Sequence, residues 1–535
     1  MSVAVTTRSY DNTRAGANIQ ESILTPTALR HRGLKRLLTL SLPGDLRGCE
    51  AQPLVVPGVQ FADGAKYDVV YIATMANQVF AFDANSGARL WMVQLGKPVL
   101  SNARIDPHRI NDQWGIVATP VIDLQSGQIY VCAWSSPDAT SEAAHYVLHA
   151  LRLSDGVAAH APLSLEAVSY NPGHGRPVQH FRSADFEQRA ALLLQSGTVF
   201  LAFGSWPGGA ATSRGWVMAV DTARFLVAAT WTSTARGAGG AIGSSGAGPA
   251  ADAEGNIYVL TGNGDFDGAT DFGASIVKLR YFPPRGNGIA SLSVADWWTS
   301  LDESGGDRDF AAAGPVLVPN RGAVLAAGGD GTLHTANMQH LGQSQRTSGS
   351  AAANEAKLKA PPIYYTYYPS PLPSGRTHRL YGTPVLWKSA AQGFVHYCWG
   401  ENGNLRAWTL SNSGASTYLG CSAETASAEL QAGAGAGGGP GGMICLSAAG
   451  DANGILWASI PYGDAARGVS AGRFLAYDAV NFAKYSDGSG AILPLWDSQA
   501  WNWRFTHNRF NRPVVWNGRV FLPTYDAEVW VLGLA

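Results

Sequence analysis

The sequence predicts an all-β protein, an eight-bladed β-propeller of four-stranded blades whose ring is closed by an N-terminal strand joining the last blade. Three observations predict it. Short runs alternate apolar and polar residues at period two and are rich in Val, Ile, Tyr, Phe and Trp. A unit of roughly 45 to 60 residues recurs, the length of one four-stranded blade with its loops. The last copy stops one strand short, while a strand-like segment near the N-terminus lacks a partner.

The composition agrees. In 535 residues, 46% are apolar and only 14% charged, with 63 Gly and 28 Pro. Such a chain suits short strands and tight turns better than long surface helices. Lys plus Arg (38) nearly cancels Asp plus Glu (39), which removes the electrostatic reason to expect nucleic acid. No apolar run is long enough to span a membrane. Five scattered cysteines without a C-x-x-C pair give neither a disulfide framework nor a zinc, iron–sulfur or c-type haem site. The N-terminus has no apolar signal core and reads as a mature or cytosolic start, so the compartment stays open.

The first unit, DVVYIATMANQVFAFDANSGARLW (68–91), reads as three strands separated by turns. Further copies fall at 118–156, 190–231, 246–300, 313–337, 381–411, 441–496 and 512–535. The three-stranded final copy is completed by LKRLLTLSLPG (34–44), which removes an exposed sheet edge. This gives an N-terminal extension at 1–33 and one propeller at 34–535. Loop insertions fall at about 98–114, 163–187, 346–380 and 422–441. The recurring Trp91, Trp231, Trp297 or Trp298, and Trp496 are expected to fill the space between neighbouring blades. A central, polar-rimmed tunnel is expected on the axis.

The tandem VYIAT…QVFAFDANSGARLW pattern resembles the PQQ-type repeat of quinoprotein alcohol dehydrogenases and their non-enzymatic relatives. Several stretches, among them TRAGANIQESILTPT, GPAADAEGNIYVLTGNGDFDG and RFNRPVVWNGRVFLPTYDAEVWVLGL, are similar to an uncharacterised bacterial group of quinoprotein-like propellers. The relatives resembled are typically exported. In the dehydrogenases the resemblance implies a quinone on the axis, stacked on a Trp, capped by adjacent disulfide-bonded cysteines and bound to Ca²⁺. Here no two cysteines are adjacent. The Thr261-Gly262-Asn263 of the Asn-bearing loop is kept, but Gly264-Asp265-Phe266-Asp267 follows in place of Pro-Trp-Asn. The catalytic Asp region falls on Asp307 or Asp309, and Gly329 stands where the enzymes carry Lys. The lost cap and lost Lys disfavour a PQQ-dependent oxidoreductase.

Other candidates come from the residues. Asn263, Asp265, Asp267 and Asp271 place oxygen ligands around Gly268, as a Ca²⁺ loop would; an Asx-rich turn is the alternative. The Gly-rich stretch 239–250 with Ser244 and Ser245 enters an inner strand, where its amides could receive an anion. His334 and His507 are placed near the channel mouth as candidate acids or bases, or as buried hydrogen-bonded residues. Arg189 is the candidate anion-binding group, and the Pro/Tyr-rich 361–375 a candidate aromatic platform. The expected function is small-molecule or saccharide binding or processing at the axial face, by a monomer with a small-molecule partner. The alternative is a non-catalytic interaction scaffold. No cofactor is predicted, with Ca²⁺ the one ion the sequence raises.

Overall fold

The structure, a computed structural model, describes residues 3–173, 177–206, 213–284, 288–300, 310–329, 331–345, 363–366, 379–412, 414–430, 437–484 and 490–535. Eight small sheets stand in a ring as the blades of a propeller. From blade 1 to blade 8 the innermost strands are Leu54–Gln60, Val121–Asp123, Leu193–Gln195, Ala250–Ala251, Val316–Val318, Val385–Ser389, Met443–Ala449 and Val514–Trp516. Each pairs antiparallel with the strand that follows it. The chain therefore reaches every inner strand from the same side of the ring, here called the entry face.

The N-terminal strand closes the ring. Leu34–Ser41 runs antiparallel to Glu528–Leu534, with Leu34 opposite Leu534 and Ser41 opposite Glu528. The seam is also tied on the entry face, where Asn508 Nδ2 donates to the Cys49 carbonyl and Asn511 Nδ2 to that of Ala51 at 2.8 Å. The tryptophans wedge between blades. Trp91 donates its Nε1 hydrogen to Leu153 O of blade 2 at 3.0 Å and lies so close to Gly156 that a Cβ there would meet the ring at 2.8 Å. Trp231, Trp298 and Trp496 are buried in clusters that span two adjacent blades.

The axis departs from the expected tunnel. Residues 5–18 run around its inside and bond to the inner strand or entry residues of every blade in turn. Val5 pairs with Val55 of blade 1, and Thr6 O accepts from Ile122 N of blade 2. Asn12 Nδ2 donates to Leu194 O of blade 3, while Asn12 O accepts from Ala251 N of blade 4. Thr13 O and Ala15 O accept from Leu317 N and Leu386 N of blades 5 and 6. Ala17–Asn18 pairs parallel with Leu446 and Ser447 of blade 7, and Asn18 Nδ2 reaches Val515 O of blade 8. An irregular backbone can do this because its donors and acceptors point outward in all directions, as no strand or helix could.

The curl requires positive φ at Ser9, Tyr10, Arg14 and Gly16. At Gly16 space is short as well, since a Cβ would lie 2.8 Å from Arg512 Nη1 and 3.1 Å from Val385 Cγ2. Gly64 shares the positive φ but has nothing within 4 Å of that position. Gly64→Ala is expected to cost only the left-handed backbone term, about 1–2 kcal/mol. Gly16→Ala should cost roughly another 1–3 kcal/mol for crowding. Urea denaturation of the two variants checks this; equal losses would show that the axial segment is loosely seated.

After the axis, Thr25 caps a short helix, Pro26–Arg32, by accepting from Ala28 N. The helix ends at Gly33, φ 68°, and leads into the closing strand. Its Leu29 packs in a cluster with Trp457, Phe505, Trp530 and Leu532 of blades 7 and 8.

Candidate functional site

The entry loops carry most of the buried charge near the axis. Glu50 precedes the inner strand of blade 1, Arg189 that of blade 3 and Arg509 that of blade 8. The Glu50 carboxylate accepts from Arg189 Nη1, from Arg509 Nε at 2.9 Å and from the Tyr525 hydroxyl. Arg189 also holds Glu187 through Nε at 2.9 Å and Nη2 at 2.8 Å. Both guanidinium groups lie over aromatic rings, Arg189 at 5.0 Å and Arg509 at 5.1 Å from the Phe510 centroid, with Trp114 on another side. Burial raises the Tyr525 pKa against the pull of Arg509 and Arg189, so its hydroxyl stays a donor. Two cations face two carboxylates. The cluster ties blades 1, 3 and 8 together, with burial raising the Glu187 pKa to about 7 against the pull of Arg509.

Closer to the axis, opposite blades nearly meet. A Cβ at Gly246, on the entry to blade 4, would sit 3.1 Å from Phe510 O of blade 8 and 3.3 Å from Arg8 Nη1. Glycine permits this approach and its positive φ. The space a planar quinone would need between these loops is taken by the chain itself. The five cysteines are all free, so no disulfide cap exists. The residues present do not fit a quinone on the axis.

Away from the axis, the entry face opens into a cleft of about 130 Å³ between blades 7 and 8. Three connections build it. They are the loop leaving blade 6 with Glu429, the turn at Tyr462 to Gly472 within blade 7, and the link 499–505 into blade 8. Backbone bonds fix them together: Glu429 N donates to Tyr462 O at 2.9 Å, Gly472 N to Phe505 O at 2.9 Å and His507 N to Ser470 O at 2.9 Å. Any side chain at Gly472 would strike the Phe505 ring, so the glycine seats the floor. Trp503 is half-buried, its ring 4.8 Å from that of Trp496 and 6.1 Å from that of Trp530. The exposed side chains of Glu429, Gln499, Asn502 and Arg504 surround it.

The sequence candidates fall in several places. Arg189 does reach the entry face, with its charge answered by Glu50 and Glu187. Ser244 and Ser245 lie in the loop that approaches the axis, both at positive φ. His507 is fully buried, with Nδ1 3.1 Å from Ser459 Oγ, and burial pushes its pKa down to about 3. His334 is buried between the rings of Trp298 and Phe310, at 5.3 and 5.1 Å. Asp307 and Asp309 lie outside the described residues, as does most of 361–375.

In the 263–271 loop the carboxylates bond to backbone amides. Asp265 Oδ2 accepts from Ala238 N, and Asp271 Oδ1 from Arg236 N and Gly237 N. Asp267 Oδ1 accepts from the amides of Ala269, Thr270 and Asp271. Burial opposes its charge, but these amides hold its pKa well below the carboxylate range. Asn263 uses its carbonyl for Gly240 N. Among the described residues no group of three His, Cys, Asp or Glu side chains is placed to hold a metal ion.

Sequence reasoning missed Glu50, Arg509 and the cleft. The first two were within reach. Aligning the copies on the residues before each inner strand stacks CEAQP, EQRAA and NRFNRP at one level of the ring. The cleft had no such signal, because its three loops are each unlike the others.

No family model and no curated protein matches the chain. Solved structures do. Quinohemoprotein alcohol dehydrogenase ADHIIG from Pseudomonas putida HK5 is 14% identical, with TM-score 0.55, over 99% of this chain and 80% of that one. The quinohemoprotein alcohol dehydrogenase from Comamonas testosteroni gives 14%, 0.54, 99% and 80%. A europium-containing methanol dehydrogenase gives 12%, 0.56, 99% and 98%. At this identity the likeness shows the fold alone: an eight-bladed β-propeller similar to those of the quinoprotein dehydrogenases.

Proposed function

We propose that the protein binds a small saccharide on its entry face, in the cleft between blades 7 and 8. The carrying observation is the composition of that cleft. Trp503, Tyr462 and Phe505 supply aromatic surface, and Glu429, Gln499, Asn502 and Arg504 surround it with polar groups. Sugars present apolar C–H faces and a rim of hydroxyls, which such a lining matches. Binding is favoured over hydrolysis because glycoside cleavage needs two carboxylates, and the cleft residues include one, Glu429. Membership of the narrower bacterial group and export, both implied by the resemblance, belong to the same reading.

Titration calorimetry with a panel of mono- and disaccharides tests the proposal. At least one sugar should bind, and Trp503→Ala should weaken it by about tenfold or more, the loss of ~1–2 kcal/mol of ring contact. Trp501→Ala, which removes an exposed ring outside the cleft lining, should bind normally. Failure of every sugar sinks the reading. Dye reduction with alcohols after loading with PQQ and Ca²⁺ would replace it with the dehydrogenase.

A further inference from the structure

Arg8, Arg14 and Arg512 are the largest charged side chains wholly enclosed by the protein, each exposed by no more than 2%. They come from the axial segment and from the entry to blade 8, and their charges act on one another. Arg14 is engaged at each of its three nitrogens. It donates to the carbonyls of Pro249, Leu192 and Arg8 and to Thr7 Oγ1, at 2.7–3.1 Å. Arg8 donates to Phe510 O at 2.7 Å and to Thr119 Oγ1 at 3.5 Å, and its Nε has no partner. Arg512 Nε and Nη1 also lack partners.

Charge is unanswered as well as hydrogen bonding. Among the described residues none of the three arginines forms an ion pair, unlike Arg189 and Arg509 nearby. The groups facing Arg512 are Tyr10 and Cys445; burial pushes the phenol well up and the thiol to about 12, so both are neutral. The carboxylate nearest Arg14, Asp11, is exposed and accepts from Thr13 Oγ1 and Ala15 N. Enclosing a guanidinium without a counter-charge costs several kcal/mol per ion, and here three share one site. Water would satisfy the free N–H groups but leave the charge.

We infer that the propeller axis holds a small inorganic anion of halide size, bound by the free N–H groups of Arg8 and Arg512 beneath the Gly246–Phe510 contact. It would act as a structural ligand that lets the axial segment seat its arginines.

The test uses the full chain exchanged from sodium gluconate into sodium chloride or bromide at constant ionic strength. Tm should rise saturably with either halide, by about 2 °C at a hundred times Kd. Arg512→Met should abolish the dependence. Should that variant not fold, bromide-soaked crystals of the unaltered protein decide, with an anomalous peak expected between the Arg8 and Arg512 guanidinium groups. Equal Tm in all three salts, or a map with no bromide at that point, would overturn the inference.

Discussion

Replacing Glu50 by Leu is expected to lower the unfolding free energy by about 3–5 kcal/mol, the range for breaking a buried ion pair from one side. Glu50 is 1% exposed and answers two guanidinium groups that are themselves almost enclosed. Without it, Arg189 keeps Glu187, while Arg509 loses its paired carboxylate and keeps its stacking on Phe510 and Trp114, the Tyr525 hydroxyl and the field of Glu187. The loss should exceed what the side chain's volume would suggest, because the cost lies in the stranded cation and not in a cavity. A second variant separates the two. Glu50→Leu combined with Arg189→Met and Arg509→Met removes these three charges at similar volume, leaves Glu187, whose pKa burial already raises to about 7, to shed its charge by taking up a proton, and should recover much of the loss. Urea denaturation followed by tryptophan fluorescence measures both. If the triple variant is the weaker one, the network contributes more than its desolvation costs, and the charge argument is wrong.

What could be read in advance follows from how each feature repeats. The blades are periodic, so eight copies reinforce one pattern. The closing strand was legible because LKRLLTLS alternates and the last copy lacks an outer strand. The 263–271 loop was legible as a pair of alternatives, and its carboxylates lie on amides of their own and the neighbouring loop. The axial segment has no period at all. Its residues bond one or two at a time to eight different blades, so TRSYDNTRAGANIQ carries no local signal beyond its Gly, Asn and Arg content. The channel expected on the axis was therefore the natural inference from the ring and the wrong one. Histidine chemistry was unreadable for a related reason: burial, not sequence neighbours, sets the state of His507.

That burial makes the fold acid-labile in a predictable window. His396 and His507 are each 0% exposed, and burial holds both pKa values at about 3, against 6.5 for the free side chain. The folded protein thus binds fewer protons than the unfolded chain between those values. The stability the neutral rings contribute is complete above pH 6.5 and is lost as pH falls toward 3. Two such sites give a slope of about 2.7 kcal/mol per pH unit, at about 1.36 kcal/mol per proton. Between pH 6.5 and 5 two further groups nearly cancel: His149, which burial lowers to about 4, adds one more proton taken up on unfolding, and Glu187, which burial raises to about 7, gives one up. His507→Gln should halve it, and His396→Gln with His507→Gln should leave it nearly flat, both read from urea midpoints at each pH. The same protonation reaches the cleft. His507 N holds Ser470 O, and its ring meets Ser459, so charging it should loosen the 470–472 and 505–507 segments that form the cleft floor. Saccharide affinity should then fall below about pH 5 before the global transition, and it should do so less in His507→Gln. An affinity that is constant until the protein unfolds would separate the cleft from this histidine.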